Sequence, residues 1–374
     1  MRRATVVMAL AALVSCREAP SAVVGRIAHI GLIDCYEPST VDSKGRPLSC
    51  ETSAVEIIHD RVLVVSDKDT PGELPSPALW LPLQQPWPDV LSAPQVQHEP
   101  NPILRAARKI EGLTRSAEGD LVFATTDFDW PPDGKSTEPD HYNTLVYWPV
   151  DDIGRAAVAN PTSNQGVISS VSLRPGFIDA LKSDKYPAGP PYFKIEGLVG
   201  MPDRELWFGV REVGPDYEHP DFVVTILRAS YSRATDGTVQ LRLPFSVVAR
   251  IDTSIGLPSK DRVGLSSLAR RDDTLWMLTS REAPEGQVGH ESHLWVARLS
   301  DKVSLVPRVV GGPDGQPLRL PCKAEGLDTL GPATLLIVCD EDRSPTTFPK
   351  EGGGTVTRRP DQGVVMIVDV KGLQ

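Results

Sequence analysis

The chain reads as an all-β protein, a β-propeller of five blades whose ring is closed by the N-terminal strand joining the last blade. Three features lead there. A short motif recurs between residues 53 and 341, each copy is followed by β-rich runs, and only residues 177–183 hint at a helix. With 35 prolines and 30 glycines among 374 residues, the chain is interrupted too often for long helices.

The motif is clearest in three places. Lys109, Glu111, Gly112 and Leu113 precede the apolar run 121–126 and Asp127. Lys194, Glu196, Gly197 and Leu198 precede 206–210 and Glu212. Lys323, Glu325, Gly326 and Leu327 precede 335–339 and Glu341. In each copy an acid falls sixteen residues after the glutamate. Two weaker copies begin at Ser53, with Asp69 at the matching distance, and at Ser266, with Glu282. The copies start at 53, 111, 196, 266 and 325, and this uneven spacing leaves room for a sixth blade.

Further strand-like runs follow at 144–149 and 167–173, at 222–229 and 245–251, and at 293–299 and 303–309. About four strands per copy is the make-up of a propeller blade. The fifth copy shows three strands, ending in 363–370, and the run 23–33 belongs to no copy. Pairing these two supplies the missing outer strand and removes exposed sheet edges. Residues 22–374 are then one domain, expected to be a monomer.

The N-terminus reads as an address. Arg2 and Arg3 precede an apolar run, 4–13, too short to cross a bilayer and suited to a signal peptide. It ends in Leu13, Val14, Ser15 and Cys16, which resembles a bacterial lipobox. The resemblance implies removal of residues 1–15, lipidation of Cys16 and a short tether over 16–21. The expected location is the cell envelope, with Arg17 in place of an aspartate pointing to the outer membrane, facing the periplasm or the surface. An ordinary cleaved signal with a stray cysteine is the alternative. Of the remaining cysteines, Cys35–Cys50 and Cys322–Cys339 are the expected disulfides, although four cysteines allow three pairings. Neither pair has the short spacing of a zinc site.

A net charge of −10 argues against nucleic acid or anionic lipid recognised through bulk charge. A hydrophobic content of 40% with 24% charged residues excludes a largely disordered chain.

The repeated pattern of Glu-Gly-Leu, apolar run and acid, over residues 50–345, resembles the bacterial phytase-like β-propellers described as having esterase-like activity. It is more distantly similar to the calcium-dependent β-propeller phytases. In both, glutamates of the Glu-Gly motifs sit near the central channel. The resemblance implies a calcium-assisted hydrolase of phosphate or carboxylic esters, taking a small anionic ester at the channel mouth.

The residues support a physical reading of their own. The first strand of each propeller blade lines the axis, so a residue recurring there is presented toward one small region. Converging carboxylates repel, which raises a pKa or demands a cation, and Ca2+ is the natural one for oxygen ligands. Glu111, Glu196 and Glu325 are the expected metal ligands, with Glu196 or Glu325 as general base. Arg211, Arg281 and Arg343 are the expected anion-binding residues.

Two opposing readings stand beside these. Lys109, Lys194 and Lys323 lie two residues before the glutamates, on the same strand face, so ion pairs between blades would satisfy the glutamates without metal. The arginines would instead pair at the surface with Glu212, Glu282 and Asp342. The glycine after each glutamate is expected to permit close packing at the axis. Trp207 and Trp276, at equivalent positions, read as blade packing. The stretch 289–293, with His290 and His293, reads as a solvated loop before a zinc site. No nucleophile elbow or zinc-protease motif occurs. The two functions in view are the calcium-assisted hydrolase and a non-catalytic lipoprotein platform for an envelope protein or glycan.

Overall fold

The computed structural model describes residues 23–373 except 43, 69, 71–73, 130–138, 165, 258–261, 283–289, 300–304, 342–344 and 350–352. Cys16 and the signal region, Asp69, Asp342 and Arg343 lie outside the described residues, as does the side chain of Glu282.

Five largely antiparallel sheets form the five blades of a β-propeller. The first blade is built from Thr52–Ile58, Arg61–Ser66, Ala78–Pro82 and Gln97–His98. The second uses Ile110–Arg115, Leu121–Thr126, Leu145–Pro149 and Ala157–Val158. The third has Tyr192–Met201, Glu205–Gly214 and Asp221–Arg233, the last flanked by Val239–Leu241 and Ser246–Arg250. The fourth has Gly264–Arg271, Thr274–Glu282 and His290–Arg298, edged by Arg308–Val309 and Arg319–Leu320. The fifth has Lys323–Gly331, Thr334–Asp340 and Gln362–Lys371.

The N-terminal strand Val24–Asp34 completes the fifth blade, pairing antiparallel from Val24 opposite Lys371 to Asp34 opposite Gln362. The ring is therefore closed by the two ends of the described chain. Cys35, at the end of that strand, is disulfide-bonded to Cys50, just before the first blade. A covalent link thus sits across the closure, and the second disulfide, Cys322–Cys339, braces the inner pair of strands in the fifth blade.

Blade sequences alternate poorly because both faces are covered. Thr52–Ile58 and Leu121–Thr126 are buried along their whole length. Apolar side chains collect at each boundary between blades. Leu206, Phe208 and Phe123 pack between the second and third blades, and Leu265, Met277 and Ile226 between the third and fourth. Trp276 and Leu278 meet Leu335 and Ile337 between the fourth and fifth. Burial of this area is the main force holding the ring together.

Three expectations need correction, the first being the run 303–309, of whose described residues only Arg308–Val309 is strand. The run 167–173 is not a blade strand: only Val167–Ser169 is extended, in a separate hairpin with Thr162–Asn164, and Ala157–Val158 is the blade's outer strand. Val171–Leu173 is already a helical turn leading into the helix Arg174–Ala180, which starts early because Pro175 suits its first turn. The described part of the 289–293 stretch is strand and not solvated loop. His290 begins the strand His290–Arg298, and His293 is buried there against Glu291 and the Leu318 carbonyl.

Candidate axial site

In every blade the two innermost strands slip register at the motif, and the third and fifth blades each slip once more, at Lys194/Ile195 and Thr329/Gly331. The motif slips fall between Thr52 and Ala54, Ile110 and Gly112, Ile195 and Gly197, Leu265 and Ser267, and Ala324 and Gly326. The residues left out of pairing there are Ser53, Glu111, Glu196, Ser266 and Glu325, the first residue of each motif copy. A bulge bends the strand and re-aims one side chain. Here the same device appears five times around the axis, and all five residues are buried.

The glycine after each glutamate has a steric reason. A Cβ at Gly112 would stand 2.8 Å from Leu198 Cβ, one at Gly197 2.7 Å from Leu265 Cδ2, and one at Gly326 2.8 Å from Ala54 Cα. These obstacles belong to the next blade, and Gly326 also meets Val338 Cγ2 of its own blade at 2.4 Å. Inner strands therefore approach too closely for a side chain there.

Two residues before each bulge stand Glu51, Lys109, Lys194, Gly264 and Lys323. The charges interlock. Lys194 Nζ lies 2.5 Å from Glu196 Oε1 on its own strand and 3.3 Å from Glu111 Oε1 on the second blade. Lys323 Nζ lies 2.9 Å from both Glu325 Oε1 and Asp340 Oδ2. Lys109 Nζ lies 3.3 Å from Asp127 Oδ2.

At these two positions the fourth blade has Gly264 and Ser266 in place of lysine and glutamate, and Arg211 of the third blade fills the place. Its Nη1 lies 2.9 Å from Glu196 Oε2 and donates to Ser266 Oγ at 3.0 Å and Ser280 Oγ at 2.7 Å. A Cβ at Gly264 would stand 2.5 Å from Arg211 Cγ, so the missing side chain makes room for the stem of Arg211. Arg211 also donates to Glu212, as the surface reading supposed, but it is 1% exposed and no surface residue. Arg281 is partly buried, opposite Glu291.

The first blade inverts the pattern, with Glu51 where three others carry lysine. Glu51, Asp67 and Asp340 each offer an oxygen, and these lie within 4.8 Å of one another. Lys68 contacts the Glu51 carboxylate and lies 3.6 Å from Asp67 Oδ1. This trio was missed in the sequence because its members occupy different motif positions. A signal was present, since Asp67 follows Glu51 by the same sixteen residues that separate Glu111 from Asp127.

Burial sets the ionisation of these groups. It pushes Glu111 up to about 8, against the pull of Lys194. It raises Glu51 to about 7, with Asp67 and Asp340 adding to the effect. Glu325 rises well above the usual carboxylate range, from burial and the nearby Asp340, despite Lys323. Burial opposes ionisation of Glu196 too, but there Arg211 and Lys194 win and hold it below its ordinary value. The axial end thus combines carboxyls pushed up by burial, one held down by Arg211 and Lys194, and a converging acidic trio.

No family model matches the chain. No curated protein matches it either. Solved structures align over most of its length at low similarity. A glycosyl hydrolase from Bacteroides ovatus is 10% identical, with 84% of each chain covered and a TM-score of 0.35. The catalytic domain of the Coprinopsis cinerea GH62 alpha-L-arabinofuranosidase is 8% identical, covering 92% of this chain and 97% of its own, at 0.37. A glucose dehydrogenase is 13% identical, covering 94% and 99%, at 0.36. Likenesses this distant carry no activity over to this chain.

Proposed function

We propose that this chain is an exported lipoprotein, anchored through Cys16 in the cell envelope, whose axial end binds calcium and hydrolyses phosphate or carboxylic esters. The observation that carries the reading is the convergence of Glu51, Asp67 and Asp340 within 4.8 Å. Lys68 and Lys323 offset part of the charge of these three carboxylates, and the hard oxygens suit Ca2+ better than zinc or copper for the remainder. They are the residues that would hold the ion. Glu111, Glu196 and Glu325 have Lys194, Arg211 and Lys323 on them, and the trio has Lys68 and Lys323, so the convergence of its oxygens is what favours the trio as direct ligands. The three motif glutamates would act from the surrounding network.

Bound there, calcium would polarise the scissile ester and lower the pKa of an attacking water. Glu325, whose carboxyl burial holds well above its ordinary range, suits donation to the leaving group. Glu196, held ionised, suits the base, with some basicity drawn off by Arg211. Arg281 and Arg343 remain the residues proposed for the anionic part of the substrate.

The test is turnover by the whole protein on a panel of phosphate and carboxylic esters, with calcium and with a chelator. Calcium-dependent hydrolysis that falls at least tenfold in Glu325→Gln supports the reading. No turnover on any ester sinks it. A Cys16→Ser variant recovered from the soluble fraction would support the anchor.

A second reading has its own support. Every motif glutamate already has a protein cation beside it, as expected of a clasp that only fastens blades. The chain would then be a non-catalytic platform for an envelope protein or glycan, with no turnover and no calcium response.

A further inference from the structure

The other end of the axis holds a cavity of about 330 Å³. All five inner strands contribute to it, through Glu56, Arg115, Gly200, Arg270 and Asp328. Its size is at the small end of the range for ligand pockets, roughly 300–1,000 Å³. No residue of the motif glutamate set reaches it, so it is separate from the axial site above.

The charges in this cavity are unevenly committed. Glu56 Oε1 accepts from Arg115 Nε at 2.6 Å. Asp328 accepts from the Ile57 and Thr329 amides at 2.7 and 2.6 Å. Both carboxylates therefore already serve the fold. Asp272 is exposed at the rim. Arg270 differs: its Nε is buried with no hydrogen-bond partner among the described residues. A buried guanidinium donor left unmatched is costly, and such groups are nearly always matched. Arg271 follows it on the strand and also lines the cavity.

We propose that this cavity is a binding site for a small ligand bearing a carboxylate or phosphate group, which Arg270 and Arg271 hold by charge-assisted hydrogen bonds. Guanidinium groups match the oxygens of both anions in a planar fork. Arg270 also borders a groove of about 670 Å³ between the third and fourth blades, whose wall includes Trp207 and Arg228. The uncharged part of a ligand too large for the cavity has space there. Burial raises Glu56 to about 8, so near neutral pH its carboxyl repels an anion less than a formal charge count suggests.

The test is calorimetric titration of the whole protein with glucuronate, inorganic phosphate and, as the neutral control, glucose. Saturable binding of either anion, absent for glucose and weakened at least tenfold in Arg270→Ala, supports the site. Which anion binds identifies the group it selects. If Arg270→Ala does not fold, Arg271→Ala carries the same test. Binding that persists undiminished in the folded variants, equal binding of glucose, or no binding of either anion overturns the proposal.

Discussion

Lys194 Nζ lies 3.3 Å from Glu111 Oε1, across the boundary between the second and third blades. The lysine is thus shared between its own strand and its neighbour's. Side by side with it, Arg211 carries the chain of contacts on to Ser266 and Ser280 of the fourth blade. Buried polar networks of this kind are costly when incomplete and specify geometry when complete. Here the network lies where five strands must meet at one axis.

Removing the shared lysine should expose that cost. Lys194→Met leaves Glu111 buried without its ammonium and Glu196 with Arg211 alone. Breaking a buried ion pair costs about 3–5 kcal/mol. The urea midpoint should fall accordingly, with the slope of the transition unchanged. An unaltered midpoint would mean that the pair does not hold blades together.

The pH dependence follows from the raised carboxyls. Glu51 is pushed up to about 7, and Glu56 and Glu111 to about 8, by burial. Above an unfolded value of about 4.5, the native state then binds more protons than the unfolded chain, so stability falls as pH rises toward 8. Glu196 works the other way: its depressed value lends stability above its unfolded pKa that is lost in acid. The melting temperature should therefore peak near pH 5, and Glu111→Gln should flatten the decline toward pH 8. A melting temperature that climbs from pH 5 to 8 would contradict this.

Close approach of the inner strands predicts an asymmetry between two glycines of one strand. Gly326→Ala would press a methyl onto Val338 Cγ2, 2.4 Å away in its own blade, and onto the Ala54 backbone, 2.8 Å away across the joint of the fifth and first blades. Overpacking of this kind costs about 1–3 kcal/mol. At Gly331 the nearest heavy atom is Thr334 Cβ at 4.0 Å, and alanine there should change stability by less than about 0.5 kcal/mol. Chemical denaturation of both variants makes the comparison.

The disulfides should each matter by a similar amount. They span 15 and 17 residues, and a loop of that length stabilises by about 3 kcal/mol through the unfolded chain. Replacing Cys35 and Cys50 together by serine should also loosen the closure strand, read as faster amide exchange at 24–34 than elsewhere. Exchange raised equally in all blades would show that this link does not guard the closure.

The ring was legible because its repeat is periodic in what must be buried. The Val, Leu and Ile runs of the second strands, and the orphan strand 23–33, follow from covering two faces of every sheet. The five bulges were not legible, because an extra residue leaves no mark in composition. Nor was the place of Arg211, which depends on the absence of a side chain at Gly264. Asp340 escaped notice because it sits one residue before Glu341, the acid that fits the repeat, and only the fold shows which of the two turns toward Glu51.

The axial account is tested most directly by melting the protein in a chelator and then across a calcium titration. A ligand at about a hundred times its dissociation constant stabilises the native state by about 2.7 kcal/mol. The account predicts a saturable rise in melting temperature that Asp340→Asn abolishes. A melting temperature indifferent to calcium, or a rise that survives intact in Asp340→Asn, would contradict it.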